Sequence, residues 1–285
     1  MFDRREKNVE VFEDTENWLK ENDKLRQAVE KSIQNQKLYL QNEAYEFQFE
    51  NKREKAAQIV ISKKRSFEAA SIYARQGKKV CVLNFASSVN PGGGVKHGSS
   101  AQEECLCRCS SLYPCLNASY MWEHFYKPHR ALHNALYNDD CIYTPDVYVI
   151  KTDESVPKRM EEKDWYKVDV LTCAAPNLRE NPSNLYNPDS GESVRGINKE
   201  ALSALLDARI TRMFEVAIAN GAQVIILGAF GCGAFCNPPE LVAEVFYKVT
   251  NLYQNYFDTI EYAVFCRGYE TENYDAFYKE FCVNR

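Results

Sequence analysis

The sequence has 285 residues, of which 45% are hydrophobic and 26% are charged, a balance typical of a globular protein with a large apolar core. The net charge of −5 argues against a protein that grips nucleic acid through a broad basic face. The longest apolar stretch, around residues 224–235, is short and interrupted by glycines, so no membrane span is expected. The charged start of the chain has no apolar signal segment, and we therefore expect a cytoplasmic location.

Residues 1–56 contain no glycine or proline and are rich in Glu, Lys, Asn and Gln. Apolar residues recur there at spacings near three and four, namely Val11, Trp18, Leu19, Leu25, Val29, Ile33, Leu38 and Leu40. This spacing predicts a helical N-terminal extension of two or three amphipathic helices that pack on a neighbouring surface. A solvated coiled segment is the alternative.

From residue 57 onward, short β-rich runs alternate with helical stretches. Strands are predicted over 57–62, 79–85, 147–151, 168–174, 223–227 and 261–265. Helices are predicted over 66–77, 198–220, 238–256 and 274–281. The alternation predicts a second unit over 57–285, an α/β layered domain with a mainly parallel or mixed sheet. A long polar loop over 177–195 is of the kind that often carries function.

Two glycine loops each follow a strand of this predicted sheet. Gly92, Gly93 and Gly94 come after the buried strand 79–85, and consecutive glycines suit a loop that needs positive φ or close contact with a ligand. The second loop, over 228–239, enters a helix for which Asn237 is the expected N-cap. Glycine turns at helix N-termini can bind phosphate, although a tight, closely packed turn is the alternative. Because loops at the carboxyl ends of neighbouring strands share one crevice, we expect them to hold a diphosphate.

Glu103 and Glu104 follow the first glycine loop. Residues 100–103 have the pattern of a capping box, which predicts a helix start and gives Glu103 a structural role. Glu104 has a structural explanation as well, because a solvated carboxylate in the first turn of a helix is favoured by the helix dipole. Neighbouring helix residues point about 100° apart, so these carboxylates cannot flank a glycosidic bond from opposite faces. In a glycosidase, one glutamate would transfer the proton and the other would position the sugar.

The eleven cysteines, an odd number, lie in strand-like and helix-like segments. They are expected to be reduced core residues. Cys105, Cys107 and Cys109 alternate, which scatters thiols around a helix axis, and the four-residue spacing of His129 and His133 has no adjacent glutamate. We therefore expect no metal site and no cofactor.

The motif Gly92-Gly-Gly94, seven residues and then Gln102-Glu-Glu104 resembles the signature of bacterial-type poly(ADP-ribose) glycohydrolases. Segments 83–86, 106–113, 172–177 and 227–235 agree with it, and the resemblance runs from about residue 57 to the end. It implies a three-layer α/β/α macrodomain-like fold with a mixed sheet that binds ADP-ribose. The implied activity is hydrolysis of ribose–ribose O-glycosidic bonds, and the acidic net charge favours capture of chain ends.

The same resemblance implies roles for individual residues. Glu104 would protonate the departing ribose oxygen and then activate water, Glu103 would hold ribose hydroxyls, and Gln102 would support the loop. The glycines at 92–94 would approach the substrate through their backbone. The other implied substrate contacts are Asn90, Gly231, Cys232, Gly233, Ala234 and Phe235, with Phe235 against the ribose. Lys96 and His97 in the spacer depart from the expected small or apolar residues and could shape the linkage that fits.

Two other functions remain open from the sequence. One is a mono-ADP-ribosyl hydrolase that acts on a protein side chain or a nucleic-acid base, and the other is a reader that binds ADP-ribose without turnover. The second carboxylate favours an enzyme. The expected partner is ADP-ribose or an ADP-ribosylated macromolecule, with no membrane and no nucleic-acid grip. An aromatic residue near the C-terminus could stack on adenine, although such residues more often belong to the core; the candidates are Tyr262, Phe265, Tyr269, Tyr274, Phe277, Tyr278 and Phe281.

Overall fold

The computed structural model describes residues 4–47, 49, 52–185 and 187–283. The strands are β1 (Lys37–Tyr39), β2 (Gln58–Ser62), β3 (Val80–Phe85), β4 (Cys141–Val149), β5 (Tyr166–Cys173), β6 (Val224–Leu227) and β7 (Thr259–Ala263). The helices are α1 (Arg4–Glu21), α2 (Asp23–Gln34), α3 (Ser66–Ala74), α4 (Gln102–Cys109), α5 (Leu112–Leu116), α6 (Ser119–Met121), α7 (Lys127–Leu132), α8 (Lys199–Ala219), α9 (Pro239–Tyr253) and α10 (Glu272–Tyr278). Short 3₁₀ turns cover Val95–His97, Glu162–Asp164 and Gln254–Tyr256, and π-helical turns cover Trp122–Tyr126 and Lys279–Val283.

The strands form one mixed sheet in the order β1-β4-β5-β3-β6-β7-β2. Strands β5, β3, β6, β7 and β2 are parallel, whereas β4 is antiparallel to both of its neighbours. Strand β6 is buried throughout and β3 nearly so, as expected for parallel strands covered on both faces. The α/β class and the mixed sheet predicted from the sequence are therefore confirmed.

Alternate residues of β3 point into two different hydrophobic layers. Cys81 and Leu83 belong to the core under α8 and α9. Val80 and Val82 belong to the core under α3, α4 and α5. This division produces the helix–sheet–helix layering, and it leaves the carboxyl ends of the central strands open between the layers.

The N-terminal segment contains helices α1 and α2, as predicted, and also a strand. Leu38 lies in β1, where it is paired with Ile142 of β4, so its assignment to a helical face was wrong. The spacing of apolar residues suggested a helix at Leu38, because a strand of three residues is too short to show the alternation typical of a strand. The division of the chain at residue 56 stays a prediction.

The remaining predicted elements are present with shifted ends. The largest shift is in β4, which begins at Cys141 and was predicted only from residue 147. The pairing of β4 with β5 shifts register between Thr144 and Val147, and Asp146 has a φ of 56°. This bulge, next to a proline, interrupts the alternation that would have revealed the first half of the strand.

All eleven cysteines are free thiols. Six are buried, but Cys236 and Cys282 are exposed, so these two are not core residues as expected. Among the described residues, no group of three or more His, Cys, Asp or Glu is arranged to hold a metal ion. The helices of the described part of the chain are all too short or too polar to cross a membrane.

Candidate active site

A cavity of about 510 Å³ lies at the carboxyl ends of β3, β6 and β7. The loop after β3, the start of α4, the loop between β6 and α9 and the segment after β7 form its walls. Its volume is in the range of roughly 300–1,000 Å³ that is usual for small-molecule sites. Both glycine loops line this one crevice, which is the arrangement that the sequence predicted.

Helix α4 begins at Gln102, and its N-cap, Ala101, makes no side-chain cap bond. The predicted capping box is therefore wrong. Glu103 does not reach back to Ser100 but turns inward, where its Oε2 accepts from the Ser87 N–H at 2.8 Å and its Oε1 accepts from the Asn84 amide at 3.3 Å. The donors at the end of β3 hold this carboxylate in the buried site.

Glu104 is also buried, with 7% of the residue exposed, and is not a solvated residue of the first turn. Its Oε1 accepts from the Gly94 N–H at 2.9 Å. Its Oε2 is buried and has no hydrogen-bond partner among the described residues. Glu104 lines the cavity, so one of its oxygens is anchored by the first glycine loop while the other has no partner among the described residues.

The two carboxylates converge on Gly93. This glycine has a φ of +55°, and a Cβ on it would lie 2.7 Å from Glu104 Oε1 and 3.1 Å from Glu103 Oε2. Only glycine fits this position, because a side chain would displace the carboxylates and strain the backbone. The backbone of the first glycine loop therefore lies directly against the carboxylates of Glu103 and Glu104.

Burial changes the acidity of both glutamates. It raises the pKa of Glu103 well above its usual range, and the neighbouring charge of Glu104 raises it further. Burial also raises the pKa of Glu104, against the opposing effect of the Gly94 N–H. Both shifts are toward easier protonation, the direction that a general acid requires.

Gln102 ties α4 to the end of β3. Its Oε1 accepts from the Phe85 N–H at 2.9 Å, and its Nε2 donates to the Leu83 carbonyl at 2.7 Å and to Ser66 Oγ at 3.0 Å. These bonds use both ends of the amide. Gln102 thus fixes where α4 starts, and with it the positions of the glutamates that follow.

Two residues of the first loop support it from behind and do not line the cavity. Gly92 has a φ of +68°, and a Cβ there would lie 2.8 Å from Cδ2 of Tyr113. The Asn90 side chain donates through Nδ2 to the Gly93 carbonyl, and the backbone carbonyl of Asn90 accepts from the Gly93 N–H at 2.9 Å. These contacts shape the loop, and the substrate contacts expected for Gly92 and Asn90 stay predictions.

The spacer residues Lys96 and His97 are exposed and also lie outside the cavity wall. They form a 3₁₀ turn that contacts α1. Lys96 Nζ lies 5.4 Å from the centre of the Tyr113 ring. Asn8 of α1 donates to the carbonyl of the adjacent Gly98 at 2.9 Å. The spacer that contains Lys96 and His97 therefore packs against helix α1.

In the second glycine loop, Gly231, Gly233, Ala234 and Phe235 line the cavity, whereas Cys232 does not. The Cys232 N–H donates to the Ala229 carbonyl at 3.1 Å within the turn. The loop presents its glycine backbone and one aromatic ring to the cavity.

Asn237 is not the N-cap of α9, as predicted, because the helix begins at Pro239 with Pro238 as its N-cap. The Asn237 amide instead donates to the carbonyls of Pro176 at 2.7 Å and Gly231 at 3.2 Å. It closes the loop onto the end of β5. The Asn237 side chain therefore bonds to carbonyls of the loops and does not cap the helix.

Several cavity residues had no site assignment from the sequence. They are Arg4, Arg65, Ser87, Asp153, Arg179, Asn187, Arg267, Glu270 and Asn273. Phe265, one of the C-terminal aromatic candidates, also lines the cavity; it is 48% exposed, and the Arg65 guanidinium lies 4.0 Å from its ring centre. Arg179 lies in the long loop that the sequence marked as functional. Asn187 lies in the same loop, and the other seven residues come from several separate segments and carry no shared sequence signal.

The family model for the catalytic domain of microbial-type PARG, poly(ADP-ribose) glycohydrolase, matches residues 6–152. The chain belongs to the microbial-type PARG family. Its mixed sheet is macrodomain-like, and the chain is a poly(ADP-ribose) glycohydrolase. No curated protein matches it.

Solved PARG structures resemble it over nearly the whole length. PARG from Thermomonospora curvata is 26% identical, with a TM-score of 0.81 and coverage of 96% of this chain and 99% of that one. The same enzyme bound to the inhibitor ADP-HPD has a TM-score of 0.78 at the same identity and coverage. PARG from Deinococcus radiodurans in complex with ADP-ribose is 27% identical, with a TM-score of 0.74 and coverage of 88% and 96%.

Proposed function

We propose that Glu104 is the catalytic acid with which this PARG cleaves ribose–ribose bonds. The observation that carries the proposal is Glu104 Oε2, which lies buried at the cavity without a partner among the described residues. A general acid needs one oxygen within reach of the leaving group and a fixed orientation. The bond from the Gly94 N–H to Oε1 supplies that orientation.

In the proposed reaction, protonated Glu104 donates its proton to the departing ribose oxygen as the bond to the anomeric carbon breaks. The sugar gains oxocarbenium character, and the resulting carboxylate accepts a proton from the water that attacks the same carbon. Glu104 regains its proton, the shortened polymer gains a hydroxyl group, and ADP-ribose is released. Glu103 is proposed to hold ribose hydroxyls at this end of the cavity. These steps need only side chains and water.

The proposed binding mode places the diphosphate against the backbone of Gly94 and of the cavity-lining residues of the second glycine loop, which are Gly231, Gly233, Ala234 and Phe235. Four arginines line the cavity, and none forms an ion pair with a described carboxylate; they are Arg4, Arg65, Arg179 and Arg267. The same wall carries the carboxyl groups of Glu103, Glu104, Asp153 and Glu270, and the four arginines offset this negative charge, which favours binding of a polyanion in a chain of net negative charge. Phe265, beneath the Arg65 guanidinium, is the proposed stacking surface for adenine. Release of units from chain ends remains part of the proposal.

We also propose a cytoplasmic location. Eleven cysteines without a disulfide are typical of proteins from reducing compartments.

The test of the catalytic assignment is Glu104→Gln, with exposed Glu192→Gln as the matched control. We expect Glu104→Gln to lower the release of ADP-ribose from a poly(ADP-ribosyl)ated acceptor by roughly 100- to 10,000-fold, the contribution of a general acid–base residue. ADP-ribose should still bind in calorimetry, because the glutamine keeps the bond to Gly94. Equal turnover by the variant and the wild type would remove Glu104 from the catalytic role.

The same assay separates the alternatives when it is run on poly-modified and mono-modified acceptors. Release from the polymer agrees with the proposal. Loss of the mono-modification alone would favour a mono-ADP-ribosyl hydrolase. Binding of ADP-ribose without any release by the wild-type protein would favour a reader.

A further inference from the structure

The long loop after β5 carries a cation to the part of the cavity formed by the second glycine loop. The Leu178 N–H donates to the Phe235 carbonyl at 2.9 Å, which fixes the two loops together. The next residue, Arg179, lines the cavity, and its guanidinium lies 5.7 Å from the centre of the Phe235 ring. The backbone bond and the ring together hold this arginine in place.

Arg179 has a donor that the described part of the protein leaves unused. Its Nε is buried and has no hydrogen-bond partner among the described residues. A buried donor on a charged group is costly when it is unpaired. Neither mechanistic step assigned to Glu103 and Glu104 uses it. An anionic ligand held by the terminal guanidinium nitrogens would offset the charge of this partly buried arginine.

Arg179 lies in a different part of the cavity from Arg65, which also stacks on an aromatic ring. Arg65 stacks over Phe265 at 4.0 Å, beside the segment after β7. Arg179 lies beside Phe235 and shares its loop with Asn187, another cavity residue. Asn187 accepts from Ser87 Oγ at 2.6 Å, and the Ser87 N–H in turn holds Glu103. The loop that carries Arg179 is thus linked to the catalytic pair.

We propose that Arg179 binds a phosphate group of poly(ADP-ribose) and thereby sets the affinity of the enzyme for its polyanionic substrate. The planar guanidinium can bind a phosphate through two parallel hydrogen bonds. This inference rests on the proposed function. The phosphate belongs either to the unit in the cavity or to the neighbouring unit across the bond that is cleaved.

The experiment compares Arg179→Gln and Arg179→Lys with Arg195→Gln, an exposed arginine of the same loop. Calorimetry gives the Kd for ADP-ribose, steady-state kinetics give KM and kcat on poly(ADP-ribose), and both are repeated at raised salt. For Arg179→Gln we expect a roughly 10- to 100-fold loss of affinity, the usual effect of removing a hydrogen bond to a charged group. The lysine variant should lie between it and the wild type, and Arg195→Gln should match the wild type.

The two measurements identify the phosphate. An equal rise in the Kd for ADP-ribose and the KM for polymer assigns it to the unit in the cavity. A rise in KM alone assigns it to the neighbouring unit. In both cases the affinity should depend less on salt than in the wild type.

Unchanged Kd and KM in Arg179→Gln, or a change in kcat alone, would overturn the inference. Binding of adenosine, which has no phosphate, should stay at the wild-type level; an equal loss for adenosine would show a structural role and also overturn it. These outcomes are independent of the Glu104→Gln test. If Arg179→Gln is unaffected while Glu104→Gln is inactive, this inference fails and the proposed function stands.

Discussion

At the scale of single residues, Glu104 experiences two opposite influences on its acidity. A position in the first turn of α4 favours the charged form, because the helix dipole presents positive potential there. Burial favours the neutral form, and it is the larger effect, so the pKa is raised. Because burial depends on the loops that cover the residue, the sequence alone could not decide between these influences.

The raised pKa also predicts how Glu104 affects stability. The Glu104 carboxyl has a higher pKa in the folded than in the unfolded protein. At pH 4 it is largely protonated in both states and costs no stability. As the pH rises through the folded pKa, its ionisation inside the protein destabilises the fold. Glu104→Gln should therefore increase the free energy of unfolding at pH 8, because the glutamine never has to ionise inside the protein, and change it little at pH 4.

Urea unfolding of the wild type and the variant at the two pH values measures this difference. Exposed Glu192→Gln should show no gain at either pH. A variant that is less stable than the wild type at pH 8 would contradict the prediction.

At the scale of elements, the connection between β3 and α4 determines the geometry of Glu103 and Glu104, the proposed catalytic pair. Gln102 holds α4 to β3 through both ends of its amide, and Gly93 allows the loop to lie against the two carboxylates. The sequence identified these residues by their motif. It misassigned the helix cap, because the donors that capture Glu103 belong to β3 and the loop after it, which local patterns of the helix do not include.

Gly93→Ala tests this geometry. A Cβ 2.7 Å from Glu104 Oε1, on a backbone with a φ of +55°, must displace the loop or the carboxylates. We expect turnover to fall by roughly 100-fold, as for misplacements of about 1 Å in an active site. The control is Gly196→Ala, where a Cβ meets nothing within 4 Å and φ is not positive.

Initial rates on poly(ADP-ribose) and thermal unfolding of both variants measure the effects. Wild-type turnover by Gly93→Ala would show that the loop does not need to lie so close to the glutamates.

At the scale of the whole molecule, α1 is bonded to the helical layer that contains α4, the helix of Glu103 and Glu104. Thr15 donates to the Arg108 carbonyl at 2.6 Å. Asp14 forms ion pairs with buried Lys151 at 2.7 Å and with Arg159 at 2.6 Å. These bonds, together with the contact of α1 with the spacer, make the N-terminal helix a support of the active site.

The pKa of Asp14 predicts when this attachment fails. Arg159 and Lys151 lower the pKa of Asp14 to about 2, from an ordinary value of 3.8. The carboxylate therefore stabilises the fold fully above the unfolded pKa, and this stabilisation is lost as the pH falls through the folded pKa. Asp14→Asn should therefore lower the free energy of unfolding at pH 7 by about 1 kcal/mol, a small value because the carboxylate is half-exposed and screened.

Denaturant unfolding at pH 7 and near pH 2 measures the pH dependence, and the difference should disappear at the lower pH. Asp23→Asn is the control, since Asp23 is exposed and pairs with Arg26 of the same helix. An equal loss at both pH values would contradict an electrostatic origin.

The sequence by itself determined the alternation of strands and helices, the two glycine loops and the Gln102-Glu-Glu104 motif, because these depend on periodicity and on residue types close together in the chain. The tertiary structure decided the rest: the strand β1 at the sheet edge, the free oxygen of Glu104, and the meeting of arginines from distant segments. These features depend on hydrogen bonds and burial between residues far apart in the sequence. Such contacts exist only once the layers have packed on the sheet.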